Sequence, residues 1–268
     1  MDAIVLRSKT SDGTPLEASF APVGLELLSF KRGDIEVLDT SQNSFIIGPH
    51  FDQRNPGIIP NLPQGQTDPY PFGIAHFVPW EVQNDEMRLK ATLSGKQLLD
   101  EQPLATLEGQ QFTMTMIARL TAKGLGIGLS VVSDSDSITG LDCSFRLPNG
   151  SGILSSDVRE QYLEGKETKS IPSTWHYDDG RRLHLDLSQP ANATFHPFVN
   201  PLEANILLVT PQYRLTQKYS CQCQENSWQV IKDPQSNNVR IRMLSAKLPH
   251  RPSLTVSSLN IHLEISPT

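Results

Sequence analysis

Apolar and polar positions along this chain alternate with a period of two far more often than they follow the 3.6-residue period of a helix. The clearest pattern is in residues 105–136, ATLEGQQFTMTMIARLTAKGLGIGLSVVSDSD. Phe112, Met114, Met116, Ala118 and Leu120 fall on one face; Thr113, Thr115, Ile117 and Arg119 fall on the other. After the turn TAKG, Leu125, Ile127, Leu129 and Val131 again share a face. Alternation on both sides of a glycine-bearing turn predicts a β-hairpin. Further short strands are predicted at GLELLSFKRG, DIEVLDT, MRLKATL, RRLHLDL, ANILLVT, YRLTQKYS, WQVIKD, VRIRMLS and LNIHLEI. The segment SDVREQYLEGKE reads as a short helix or an irregular turn. No long amphipathic helix is evident.

Twenty prolines and 17 glycines punctuate these segments, which keeps helices short. Many short strands with turn signals between them predict a sandwich or a barrel. No repeat of about 20–50 residues is visible, which argues against a propeller. A length of 268 residues suits one large all-β domain, here residues 1–268. The stretch NPGIIPNLPQGQTDPYP, residues 55–71, is too long for an ordinary connection, and such loops are functional or disordered.

Composition narrows the function classes. Hydrophobic residues make up 37% and charged residues 19%, a globular balance. A net charge of −6 argues against nucleic acid as the main partner, because phosphate binding needs a basic surface. The three cysteines, Cys143, Cys221 and Cys223, are too few and odd in number for a disulfide framework. Cys221 and Cys223 have no second pair at zinc spacing, so no metal site is expected. No phosphate loop, dinucleotide loop or G-x-S-x-G is present, and no cofactor is expected. No apolar run approaches the roughly 20 residues of a membrane helix, and MDAIVLRSKTSDGT lacks a signal-peptide pattern. The expectation is a cytoplasmic protein with no membrane partner.

Candidate chemistry gathers in a few segments. PFGIAHFVPWEV, residues 71–82, sets His76 in an apolar frame. A histidine titrating near 6.5 suits proton transfer or a ligand contact, and it equally suits a hydrogen-bonded place on a strand. GPHFDQRNPG places His50, Asp52 and Arg54 two apart, hence on one face of an extended segment. They read as a wall of a hydroxyl-binding site, as an acid/base pair of His50 and Asp52, or as a salt-bridged loop. In STWHYDDG, Trp175 neighbours His176, Tyr177, Asp178 and Asp179, a sugar-compatible set or a surface turn. Trp80 and Trp228 are expected in the core.

Several of these segments, in order, resemble the aldose 1-epimerase (galactose mutarotase-like) family. The hexose-6-phosphate mutarotase branch carries a frame His-Gly-Phe-Ala-Arg-x-x-Pro-Trp; here it reads Phe72-Gly73-Ile74-Ala75-His76-Phe77-Val78-Pro79-Trp80. The hairpin around KGLGIGLSVVSDSD is similar to a family hairpin. The family's Leu-His-Pro-Tyr-Phe-Arg-Leu-Pro segment meets Leu141-Asp142-Cys143-Ser144-Phe145-Arg146-Leu147-Pro148, and its C-terminal Glu-Pro meets Arg242-Met243 in VRIRMLSA. The resemblance implies a large antiparallel β-sandwich with a sugar in a concave sheet face. In the family, a Glu base and His residues open and close the sugar ring. Here Phe72, Asp142 and Arg242 stand at those positions. Phe transfers no proton, and Arg stays protonated.

The resemblance therefore implies a sugar- or sugar-phosphate-binding protein without ordinary mutarotase catalysis. Its binding residues would be His50, Asp52, Arg54, Phe72, His76, Asp142, Arg146 and Arg242. One alternative is an active isomerase with a rewired site, in which His76 or His50 is the acid and Asp142 or Asp52 the base. Glu225 or Glu264 would then be substitute bases if the C-terminal match is displaced. Another alternative is a non-enzymatic protein-interaction module.

Overall fold

The structure, a computed structural model, describes residues 2–51, 73–95, 112–133, 137–158, 161–164, 167–170, 175–177, 182–195, 203–221, 226–245 and 255–268. Nearly all of its regular structure is antiparallel β. The first sheet is a four-stranded meander, β1 (Ile4–Lys9), β2 (Pro15–Phe20), β3 (Leu27–Arg32) and β4 (Ile35–Glu36). The chain continues through β5 (Phe45–Phe51), β6 (Glu81–Asn84), β7 (Arg88–Ser94), β8 (Phe112–Thr121), β9 (Gly124–Ser133) and β10 (Ser137–Arg146). Next come β11 (Ile153–Asp157), β12 (Gln161–Glu164), β13 (Glu167–Ser170), β14 (His176–Tyr177), β15 (Arg182–Asp186) and β16 (Ala191–Phe195). The last strands are β17 (Glu203–Val209), β18 (Tyr213–Cys221), β19 (Asn226–Lys232), β20 (Asn238–Ser245) and β21 (Thr255–Pro267).

Two large sheets dominate. One has the strand order β13-β12-β16-β19-β20-β10-β5; the other runs β14-β15-β11-β17-β18-β21-β9-β8-β7-β6. Strand β10 packs across on β9 and β21. Period-two alternation sends Leu141, Cys143, Phe145, Ile241 and Met243 inward from the first sheet, all fully buried. Met114, Met116, Leu129, Ile261 and Leu263 are buried on the second. These residues belong to one continuous apolar cluster.

The β8–β9 hairpin follows the alternation read from the sequence, with Thr121 opposite Gly124. Gly124 has φ +129°, and a Cβ there would stand 2.1 Å from the Leu263 carbonyl oxygen. Only glycine fits that approach. Trp80 and Trp228 are in the core, 7% and 1% exposed.

Two expectations need correction or completion. The described residues of the segment read as a short helix or an irregular turn are mostly strand: β11 runs to Asp157, and β12 pairs with β13, Glu164 opposite Glu167. Pairing with neighbouring strands overrides a weak local preference. The β1–β2 hairpin, which pairs Ile4 with Phe20, was not among the predicted strands. Its signals were the S-D-G-T turn and the alternation of Leu16, Ala18 and Phe20, buried at 2%, 0% and 0%. No helix among the described residues is long and apolar enough to cross a membrane.

Strand β18 brings unsatisfied polar groups into the core. Gln217 is 0% exposed, and neither amide atom has a hydrogen-bond partner; the buried Tyr219 hydroxyl, two residues along β18, also lacks one. An unsatisfied buried polar group is destabilising. Gln217→Met, close in shape and apolar, is expected to stabilise the fold by about 1–3 kcal/mol. Urea unfolding would show this as a higher midpoint at an unchanged slope.

Candidate functional site: a polar row on the open sheet face

Strand β10 is buried along most of its length, yet every second residue faces away from the inter-sheet core. Asp142 and Ser144 are on that side. Register makes Asp142 the centre of a row: Phe45, Asp142, Arg242, Gln229 and Thr194 stand side by side across β5, β10, β20, β19 and β16. Arg240, two residues from Arg242 and on the same face, lies opposite Ser144.

Asp142 is wholly buried. Arg242 reaches across to it, donating from Nε at 2.9 Å to Oδ2, with Nη2 at 2.8 Å from the same oxygen. Arg240 Nε stands 3.4 Å from Oδ1 as an ion-pair partner, while Oδ1 itself accepts no hydrogen bond. Two guanidinium groups thus hold one carboxylate, and the trio keeps one net positive charge. Arg242 Nη1 also donates to Gln229 Oε1 at 3.3 Å, and Gln229 Nε2 donates to Asn192 at 3.3 Å. Arg240 Nη2 donates to the Asn43 carbonyl at 3.1 Å, and its guanidinium carbon lies 5.5 Å from the Phe45 ring centroid.

His76 joins the row through Phe45, ring centroids 4.6 Å apart, and Phe77 packs edge-on at 4.0 Å. Its nearest carboxylate is Glu26, with Nδ1 at 3.6 Å from Oε1 as an ion-pair partner. Burial pushes the His76 imidazole below its ordinary range and the Glu26 carboxyl above its own. The backbone around His76 is closely held. Gly24, at φ +73°, lies so near that a Cβ would stand 2.3 Å from the His76 carbonyl oxygen. Gly24 N–H donates to Val78 O at 3.2 Å, and Ala75 N–H donates to Gly48 O at 3.0 Å. Trp80 Nε1 donates to Ala75 O at 2.8 Å.

The other sequence-derived candidates fall differently. His50 is on β5 opposite Ile138, towards the far end from Phe45. Asp52, Arg54, Phe72 and Glu225 lie outside the described residues. Arg146 is four residues along β10 from Asp142, exposed, with its charge beside Asp39. Glu264 is exposed on β21 of the other large sheet, opposite Thr216, so it is not a substitute base for this row. Burial holds the Cys143 thiol far above its ordinary range, which removes it as a nucleophile. Among the described residues, no group of three or more His, Cys, Asp or Glu is placed to hold a metal ion.

Sequence reasoning missed Arg240, Gln229, Phe45 and Glu26. The R-I-R spacing in VRIRMLS puts Arg240 beside Arg242 on one strand face, a legible signal. The other three enter only through strand register and loop packing.

The antiparallel sandwich is the galactose mutarotase-like fold, shown by its similarity to solved structures. The chain is similar over 99% of its length to all of a galactose mutarotase-like protein from Lactobacillus casei ATCC 334, with TM-score 0.70 and 15% identity. A galactose mutarotase related enzyme from Lactobacillus acidophilus matches with TM-score 0.65 and 12% identity, over 98% of this chain and 97% of that one. A galactose mutarotase-like protein from Clostridium acetobutylicum matches with TM-score 0.62 and 12% identity, over 100% of this chain and 99% of that one. No protein-family model matches the sequence, and no curated protein matches it.

Two measurements test this geometry. Asp142→Ala leaves two guanidinium groups without their carboxylate. It is expected to cost about 3–5 kcal/mol in urea unfolding, as for a broken buried ion pair. The lowered His76 value gives a pH slope. A depressed folded-state value makes its contribution complete above about pH 6.5 and lost as pH falls towards the folded value. Glu26, raised, contributes with the opposite sign, its share being lost as pH rises through its folded value. Between pH 7 and 5, His76→Gln is therefore expected to lose less stability than the unaltered protein.

Proposed function

We propose that this protein binds a sugar or sugar phosphate against the open face of the seven-stranded sheet and does not catalyse ordinary mutarotation. The observation that carries the reading is the ion pair at the centre of the row. Asp142 and Arg242 occupy the two positions at which the resemblance implies a proton-handling His and a base Glu. Paired across the strands, they offer neither. The guanidinium is no base, and the carboxylate oxygens are turned to the two arginines, at 2.9 Å and 3.4 Å from their Nε atoms.

Ligand chemistry follows from the same side chains. Guanidinium groups grip hydroxyl-rich and anionic groups, phosphate above all, through directed N–H donors. Gln229 and Asn192 extend the row with amides that donate and accept, as sugar hydroxyls require. The net charge of −6 supports a small-molecule ligand over nucleic acid.

A second reading has one observation behind it. His76 Nδ1 stands 3.6 Å from Glu26 Oε1, an ion-pair distance without a hydrogen bond, and a small closing movement would let the carboxylate orient the imidazole for proton transfer. On that reading the protein is an isomerase whose proton carrier is His76, beside a carboxylate from the β2–β3 connection.

Anomeric exchange by NMR, with glucose, galactose and their 6-phosphates, separates the two. Chemical-shift changes without faster exchange, together with roughly tenfold weaker binding in Gln229→Ala, are the expected result. Exchange faster than the spontaneous rate, and lost in His76→Gln, would establish the second reading instead.

A further inference from the structure

The Trp175-His176 segment plays no part in the sheet-face row. Both residues open instead on a separate groove of about 970 Å³, which shares no described residue with that row. The volume is at the upper end of the range for small-molecule sites. Its frame comes from the start of β11, the end of β15, the start of β16 and the turn after β17.

The groove has a hydrogen-bonding wall and an apolar one. On the first, adjacent strands place His176 beside His184, with the buried Ser155 next to His184 behind the wall. The Ser155 hydroxyl is 2.8 Å from His184 Nδ1, which fixes the orientation of that ring. The two imidazoles are 5.4 Å apart, tilted by 40°. Asp186, two residues along β15 from His184, shares its face. Its Oδ1 accepts the Ser188 N–H at 2.9 Å, and that bond keeps the carboxyl below its ordinary range. On the apolar wall, Ile153 is 50% exposed. Trp175 packs 6.0 Å from Phe195, itself 4.6 Å from Trp228. That aromatic run anchors the indole to the core.

The two walls together select a ligand. No Lys or Arg is among the described lining residues, so no described guanidinium or ammonium there compensates an anion. A hydrocarbon would take the exposed Asp186 carboxylate and the exposed His176 ring out of water, which is unfavourable. A neutral pyranose satisfies both walls: its C–H face covers indole and isoleucine, and its hydroxyl edge meets carboxylate and imidazole. We propose that this groove is a second carbohydrate-binding site, for a neutral short oligosaccharide, independent of the sheet-face site.

Maltose and cellobiose are the probes, added to the full chain and followed by tryptophan fluorescence. Trp80 and Trp228 are buried, so a ligand-dependent change reports on Trp175. The expected result is a saturable change at roughly millimolar disaccharide. It should weaken at least about tenfold in His176→Ala, whose ring is exposed, and in Asp186→Asn, and hold in Gln229→Ala. Unchanged circular dichroism would exclude unfolding as the cause. No saturable change with either disaccharide would overturn the proposal. So would binding that survives in His176→Ala and Asp186→Asn, and if that binding were lost in Gln229→Ala the sheet-face site alone would remain.

Discussion

A charge buried in the middle of a sheet has to be neutralised from the neighbouring strands. Asp142 is that charge. The side chain is wholly covered by its neighbours, and an unpaired carboxylate there would be strongly destabilising. Arg242 answers it from the directly opposite position on β20, and Arg240 from two residues along. Because the side-chain period of a strand is two, a one-residue slip between β10 and β20 would send Arg242 into the apolar core. The ion pair and the buried row Leu141, Cys143 and Phe145 therefore enforce the same register.

That register also organises what surrounds the row. Gln229 and Asn192 extend it by hydrogen bonds on one side, and Phe45 and His76 by ring contacts on the other. The frame around His76 is rigid for backbone reasons. Gly24 brings the β2–β3 connection against the His76 carbonyl at a distance that any side chain would prevent. The small four-stranded sheet is thereby tied to the larger sandwich beside the candidate site. His76 ends as a half-buried ring between aromatic neighbours with one carboxylate partner, and Glu26 is that partner.

The second groove shows a different use of the same framework. Strand alternation turns Leu183 and Leu185 inward and His184 outward, and cross-strand pairing adds His176, with the buried Ser155 behind. A period-two sheet automatically gathers such outward residues into rows. Whether a row becomes a site depends on what closes over it, here Trp175 and its aromatic support.

Much of the architecture was legible without coordinates. Period-two alternation in residues 112–133 identified the longest hairpin, and the same pattern identified most later strands, because half-buried strands must alternate. Chemistry was legible only where it is local. VRIRMLS puts two arginines on one face, and Asp142 interrupts an apolar strand. Partner choice was not. That Arg242 meets Asp142, 100 residues away, and that Glu26 rather than Asp142 meets His76, depends on register and loop packing between distant segments. Alternation decides which residues share a face, since it is a property of each strand alone. Only the assembled sheets decide which faces and rows meet, because non-local pairing is settled by the whole set of burial and hydrogen-bond constraints at once.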